Sequence, residues 1–91
     1  MKRAIKLHEL DNVATALQSV DMGECVDVVL NGVIVQHVIV NDAINKYFKF
    51  ALEDLDENTE AIKYGEVIGK TNCKRHVGDL VHVDELRSVK V

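Results

Sequence analysis

The chain has no proline and no tryptophan, and only two cysteines, two tyrosines and two phenylalanines among its 91 residues. Without proline, its turns must come from glycine, asparagine and aspartate, which tolerate or locally stabilise the left-handed backbone that tight turns require. With aromatics at 4%, the core falls to Val, Ile and Leu, and that β-branched bias favours strands. Cys25 and Cys73 form no Cys-x-x-Cys pair, so they read as plain buried thiols rather than a disulfide or a metal site. No segment approaches the roughly 18 apolar residues of a membrane span, which excludes a membrane-embedded helix. The opening MKRAIKLHEL carries no apolar run of signal-peptide length, so the chain is expected to be cytoplasmic and without a membrane partner. Net charge is −4 and the sequence pI is about 5.5, with no basic face, so nucleic acid is not an expected partner.

What remains is a small aliphatic domain. One domain, residues 1–91, is expected from the length. At this size about 60–70% of the unfolded surface can be buried, enough for one modest core but not for a deep enzyme cavity. Three stretches share a turn layout: VDMGECVDVVL at 20–30, LDENTEAIKY at 55–64 and RHVGDLVHVDEL at 75–86, turning at Gly23, Asn58 and Gly78. AIKLHEL at 4–10 reads as a strand, and Asn31-Gly32 as a two-residue hairpin turn. GVIVQHVIV at 32–40 is apolar on both faces, which predicts a central or doubly covered strand, with His37 a satisfied interior or interface histidine. LDNVATALQSV at 10–20, with Asp11 as N-cap, and VNDAINKYFKFALEDL at 40–55 carry apolar residues at helical spacing. The pattern as a whole predicts a mostly β protein with one or two short helices.

Three places carry chemistry beyond packing. AIKYGEVIGK at 61–70 sets a cation, a phenol and two glycines together, as an anion-holding bend would. His82 and Asp84 share one face of VHVDEL, roughly 6.5–7 Å apart at the backbone, close enough to converge on one metal. Lys49 lies in YFKFALEDL and reads by itself as a solvated charge. His8 lies near Asp11 and Asn12 and is a further candidate for the same site.

In this order the segments resemble the small SAF-type (β-clip) domain of the altronate dehydratase family. That domain typically carries Asp-Asn-Val-Ala, then Gly-His-Lys-Phe-Ala-Leu, then Ile-Lys-Tyr-Gly-x-x-Ile-Gly, then Gly-x-x-Val-His-x-His-Asn. DNVATAL at 11–17, KFALEDL at 49–55, IKYGEVIG at 62–69 and GDLVHVDEL at 78–86 match in sequence. The departures are Tyr47-Phe48 in place of Gly-His, and Asp84-Glu85 in place of His-Asn. A carboxylate at 84 is still a ligand for a hard cation.

The resemblance implies a β-clip fold and a small subunit or N-terminal-type domain of a sugar-acid dehydratase, an altronate- or hexonate-type hydro-lyase. The expected partners are a large catalytic subunit, an anionic hydroxy-acid substrate and, as a further candidate, a second copy of the chain. It also implies a divalent metal, Fe2+ or similar, shared with the large subunit. Carried over residue by residue, Lys49, Lys63, Tyr64 and Gly65 would bind substrate, and His82 and Asp84 would serve catalysis and the metal. Such a chain would not be active alone. The alternative is a non-catalytic SAF-type binding or assembly module.

Overall fold

The computed structural model describes residues 2–71, 73–81 and 86–87, and these form strands and turns throughout. Their nine strands are β1 (Lys2–Ile5), β2 (Val13–Ala16), β3 (Cys25–Leu30), β4 (Val33–Ile39), β5 (Lys49–Ala51), β6 (Glu60–Lys63), β7 (Glu66–Thr71), β8 (Leu80–Val81) and β9 (Leu86–Arg87). Six make one sheet in the order β4-β3-β1-β2-β5-β8, and three make a second in the order β6-β7-β9. Only the β1–β3 pair is parallel.

One turn is used four times. The carbonyls of Asp21, Asn45, Asp56 and His76 accept from the N–H three residues on, at Glu24, Phe48, Thr59 and Asp79. The third residue of each turn has positive φ: Gly23 (87°), Tyr47 (71°), Asn58 (64°) and Gly78 (88°). That combination is the type II signature. Each third residue donates its N–H to a carbonyl just at or past a strand end, at Val40, Ala16, Thr71 and Ala51 respectively. Each of those residues donates back to the carbonyl of the turn's fourth residue. A turn thus clips a strand end with two hydrogen bonds, and the residues before the turns pair in turn, Val20 with Ile44 and Leu55 with Arg75.

Three of these turns were expected from Gly23, Asn58 and Gly78. The fourth replaces a predicted helix, because an aromatic occupies the left-handed position and hides it. A non-glycine residue there costs about 1–2 kcal/mol. Tyr47→Gly should therefore raise stability by about 0.5 kcal/mol, after the greater freedom of unfolded glycine and the lost Lys46–Tyr47 cation–π contact (4.9 Å) are subtracted. Calorimetry should show a rise of about 2–4 °C in Tm.

Two hairpins use the primed turn. Asn31 (φ 52°) and Gly32 (79°) join β3 to β4, and Tyr64 (58°) and Gly65 (72°) join β6 to β7. Two consecutive positive φ values match the right-handed twist of the flanking strands.

No described residue is helical. In 10–20, the apolar spacing belongs to a strand buried on both faces, with Val13 on one side and Ala14 and Ala16 on the other. In 40–55, Ile44 precedes a clip turn and Phe50 lies on β5. Asp11 caps no helix; its carboxylate accepts N–H groups before it in the chain, at Leu7 and His8. Strand β1 also stops at Ile5, and the chain bends and turns at residues 8–10.

The main core lies on one face of the large sheet, where Val26, Val28, Val38, Val40, Ile44 and Phe50 are buried with three alanines. A smaller cluster of Val13, Ala51, Leu55 and Val81 lies on the other. The stretch expected as a central strand, β4, is an edge instead. Val33, Ile34, Val35 and Ile39 are 62%, 46%, 48% and 63% exposed, so of its apolar side chains the described residues cover only Val38.

Candidate anion-binding site

The site is built where two motifs meet. Asp11, buried to 4% exposure, receives Leu7 N–H at 3.1 Å and His8 N–H at 3.2 Å on Oδ2, and Gly65 N–H at 2.8 Å on Oδ1. Its neighbour Asn12 accepts Ile62 N–H on Oδ1 at 2.7 Å and donates Nδ2–H to Glu60 O at 2.8 Å. Two adjacent side chains between β1 and β2 therefore hold the β6–β7 hairpin by its backbone. Gly65 is required twice: its φ is +72°, and a Cβ there would meet the His8 ring at 3.0 Å. His8 Nδ1 accepts Leu10 N–H at 3.1 Å, so the proton of the neutral ring resides on Nε2.

This tether brings together the lysines that the sequence singles out. Lys49 lies on β5, paired with Thr15 of β2 and Val81 of β8. Lys63 ends β6, and its ammonium lies 5.0 Å from the centre of the exposed Tyr64 ring, so the two sit on the same side of the bend. Burial, and then the positive charge of Lys63, push the pKa of Lys49 below 10.5. The Lys49 charge therefore opposes folding, fully below its lowered pKa and progressively less as pH rises through that value toward 10.5. Beside it, the Thr15 hydroxyl oxygen is buried with no hydrogen-bond partner among the described residues. Two crowded cations and an unsatisfied hydroxyl form an arrangement that a bound carboxylate would relieve. Each charge-assisted hydrogen bond to it would contribute about 1.5–3 kcal/mol.

Lys49, Lys63, Tyr64 and Gly65 thus share one neighbourhood, and His8 joins it through Gly65. His82 and Asp84 lie outside the described residues. Among the described residues, no set of three metal donors surrounds Lys49, and two ammonium groups repel a cation. This cluster by itself does not fit a divalent ion.

Sequence reasoning missed the Thr15 hydroxyl, whose only signal was a polar residue in VATA, and the tethering role of Asp11 and Asn12. Both cysteines, expected as buried thiols, are exposed and free: Cys25 is the first residue of β3 and Cys73 lies in a surface bend. An open cleft lies elsewhere, lined by Asp42, Ala43, Arg75, Asp79 and Leu80. Its acids are engaged in the fold: Asp42 accepts Leu80 N–H, and Asp79 accepts from Asn41 and His76.

These features define a small β-clip domain that presents a cationic patch on a sheet face. The chain belongs to the altronate/galactarate dehydratase SAF-domain family, which it matches over residues 2–89. It is 34% identical over 88 residues to an altronate dehydratase of Bacillus subtilis (strain 168), covering 97% of this chain and 17% of that protein. It is 36% identical over 84 residues to an altronate dehydratase of Escherichia coli (strain K12), covering 92% of this chain and 16% of that protein. The chain thus spans about a sixth of the length of these relatives. Among the described residues there is no helix long and apolar enough to cross a membrane.

Proposed function

We propose that this domain serves a sugar-acid dehydratase as its small subunit or N-terminal-type domain, and that its own contribution is to bind the substrate carboxylate. The carrying observation is the half-buried Lys49, crowded by Lys63 and flanked by a buried hydroxyl without a partner. A base removes the proton next to the carboxylate and hydroxide leaves the neighbouring carbon as water. Lysines placed at the carboxylate stabilise the negative charge that builds on it as the proton departs. The groups that move the proton and carry the metal belong to a large partner; the exposed apolar edge of β4 is a surface such a partner could cover, and the much greater length of the relatives agrees. Outside such a complex the domain is inactive. His82 and Asp84 remain assigned, on the family resemblance, to the seam with that partner.

The alternative, a binding or assembly module without catalysis, is favoured by Tyr47-Phe48, where the clip turn persists although the motif's glycine and histidine are gone.

The test uses the chain alone and with its co-purified partner. Lys49→Met should weaken binding of a hydroxy-acid carboxylate, followed by calorimetry, by about 10–100-fold, the equivalent of one charge-assisted hydrogen bond. The same variant should melt higher than wild type at neutral pH, with the gap closing as pH approaches 10.5. Unchanged carboxylate affinity would overturn the anion site. Carboxylate binding without lyase activity in any complex would select the module reading.

A further inference from the structure

A second constellation lies on the same face of the large sheet, three strands away from Lys49. Cys25 and Asp27 are two residues apart on β3 and so share a face, and His37 of β4 pairs directly with Asp27. One donor atom from each residue lies within 4.8 Å of the other two. Nothing in the anion site or in the family motifs uses these residues.

Asp27 is the unusual member. Its carboxylate is buried, with 7% of the side chain exposed, yet its one side-chain partner among the described residues is His37 Nδ1 at 2.7 Å. A buried carboxylate ordinarily needs several hydrogen bonds or a cation to offset the loss of water. The other two donors, a free thiol and a 64% exposed imidazole, sit at the surface.

We propose that Cys25, Asp27 and His37 form a transition-metal site for Zn2+ or Co2+, a three-donor centre whose fourth position is open to water. One sulfur, one nitrogen and one oxygen are the donors that such ions accept in tetrahedral geometry. A tetrahedral ion holds its donors about 3.5 Å apart, from metal–ligand bonds of roughly 2.0–2.3 Å. Reaching it requires the His37–Asp27 pair to open from 2.7 Å and any donor as far off as 4.8 Å to close, each by about 1 Å. The thiol gives up its proton on binding, and the bound ion staples β3 to the exposed edge strand β4.

The experiment titrates Co2+, then competing Zn2+, into the reduced, metal-free full chain. The expected result is one equivalent bound with a thiolate-to-cobalt charge-transfer band, and a Tm that rises with Zn2+ concentration. Cys25→Ser should abolish the band, and both Cys25→Ser and His37→Gln should weaken binding by at least about 10-fold. Cys25 is exposed, so metal-free Cys25→Ser should melt with the parent. His37→Gln also alters the one described side-chain partner of buried Asp27, so it is read by metal affinity and not by its metal-free Tm. Cys73→Ser should leave every readout unchanged. Absence of stoichiometric binding, or a band and affinity that survive Cys25→Ser or His37→Gln, would overturn the proposal.

Discussion

Gly78→Ala is expected to destabilise the domain by about 3–5 kcal/mol, a large share of the roughly 5–14 kcal/mol that a chain of this length possesses. Two costs combine. The residue has φ +88°, where an L side chain costs about 1–2 kcal/mol. A Cβ would also overlap the Ile39 carbonyl oxygen and press within 3.2 Å of Val40 Cα. Neither can yield, because Gly78 donates to Ala51 O at 2.9 Å while its own carbonyl accepts Asn41 N–H at 2.9 Å. Gly23 (φ +87°) and Gly32 (φ +79°) share the backbone conformation but have nothing within 4 Å of an added Cβ. Their alanine variants should lose only the conformational part, about 1–2 kcal/mol each. Urea midpoints at constant slope will separate the two contributions. Equal losses at positions 23 and 78 would mean that the clip turn shifts freely, contrary to its hydrogen bonding.

The same comparison shows which parts of the fold were legible in the sequence. Turn chemistry was readable wherever glycine or asparagine marked a positive φ, as at Gly23, Asn31-Gly32, Asn58, Tyr64-Gly65 and Gly78. It was unreadable at Tyr47, where an unfavourable residue holds the same conformation and the neighbouring apolar spacing imitates a helix. The two-sided apolar pattern of β4 was readable; its exposure was not, because such a strand implies cover without saying which polypeptide supplies it. At the site, Lys49, Lys63, Tyr64 and Gly65 could be named from residue type and motif order. What places them together could not: a threonine hydroxyl buried by sheet pairing, and two polar side chains whose partners lie 48 to 54 residues away.

The cationic patch and the fold are therefore coupled in a definite way. The domain keeps Lys49 half-buried near Lys63 although burial and repulsion both oppose its charge. Such an arrangement persists only if the surrounding structure holds it, and the interactions that hold the Lys63 hairpin include the side-chain-to-backbone bonds of Asp11 and Asn12 beside one backbone bond, from Asn12 N–H to Ile62 O. Stability should accordingly be sensitive to those bonds, and anion affinity should follow them.

Asp11→Ala is expected to cost about 3–5 kcal/mol and to weaken carboxylate binding although Asp11 touches no ligand. The carboxylate accepts three backbone N–H groups, and an unsatisfied buried donor costs about 1–3 kcal/mol, less where water enters the space left behind. Asp11→Asn should recover only part of the loss, since one of its two oxygens becomes an N–H2 group facing a donor. Asn12→Ala removes two further ties to the same hairpin, at Ile62 N–H and Glu60 O. Once either residue has released the hairpin, the other has less left to hold, so the double variant should lose less than the sum of the singles, by about 0.5–3 kcal/mol. Amide exchange gives the local reading: the Gly65 and Ile62 N–H groups should lose protection in Asp11→Ala while the Val20–Ile44 pair keeps it. Strict additivity, or loss of protection spread evenly over both sheets, would show that Asp11 and Asn12 act on the fold separately and not as one tether for the hairpin that carries Lys63.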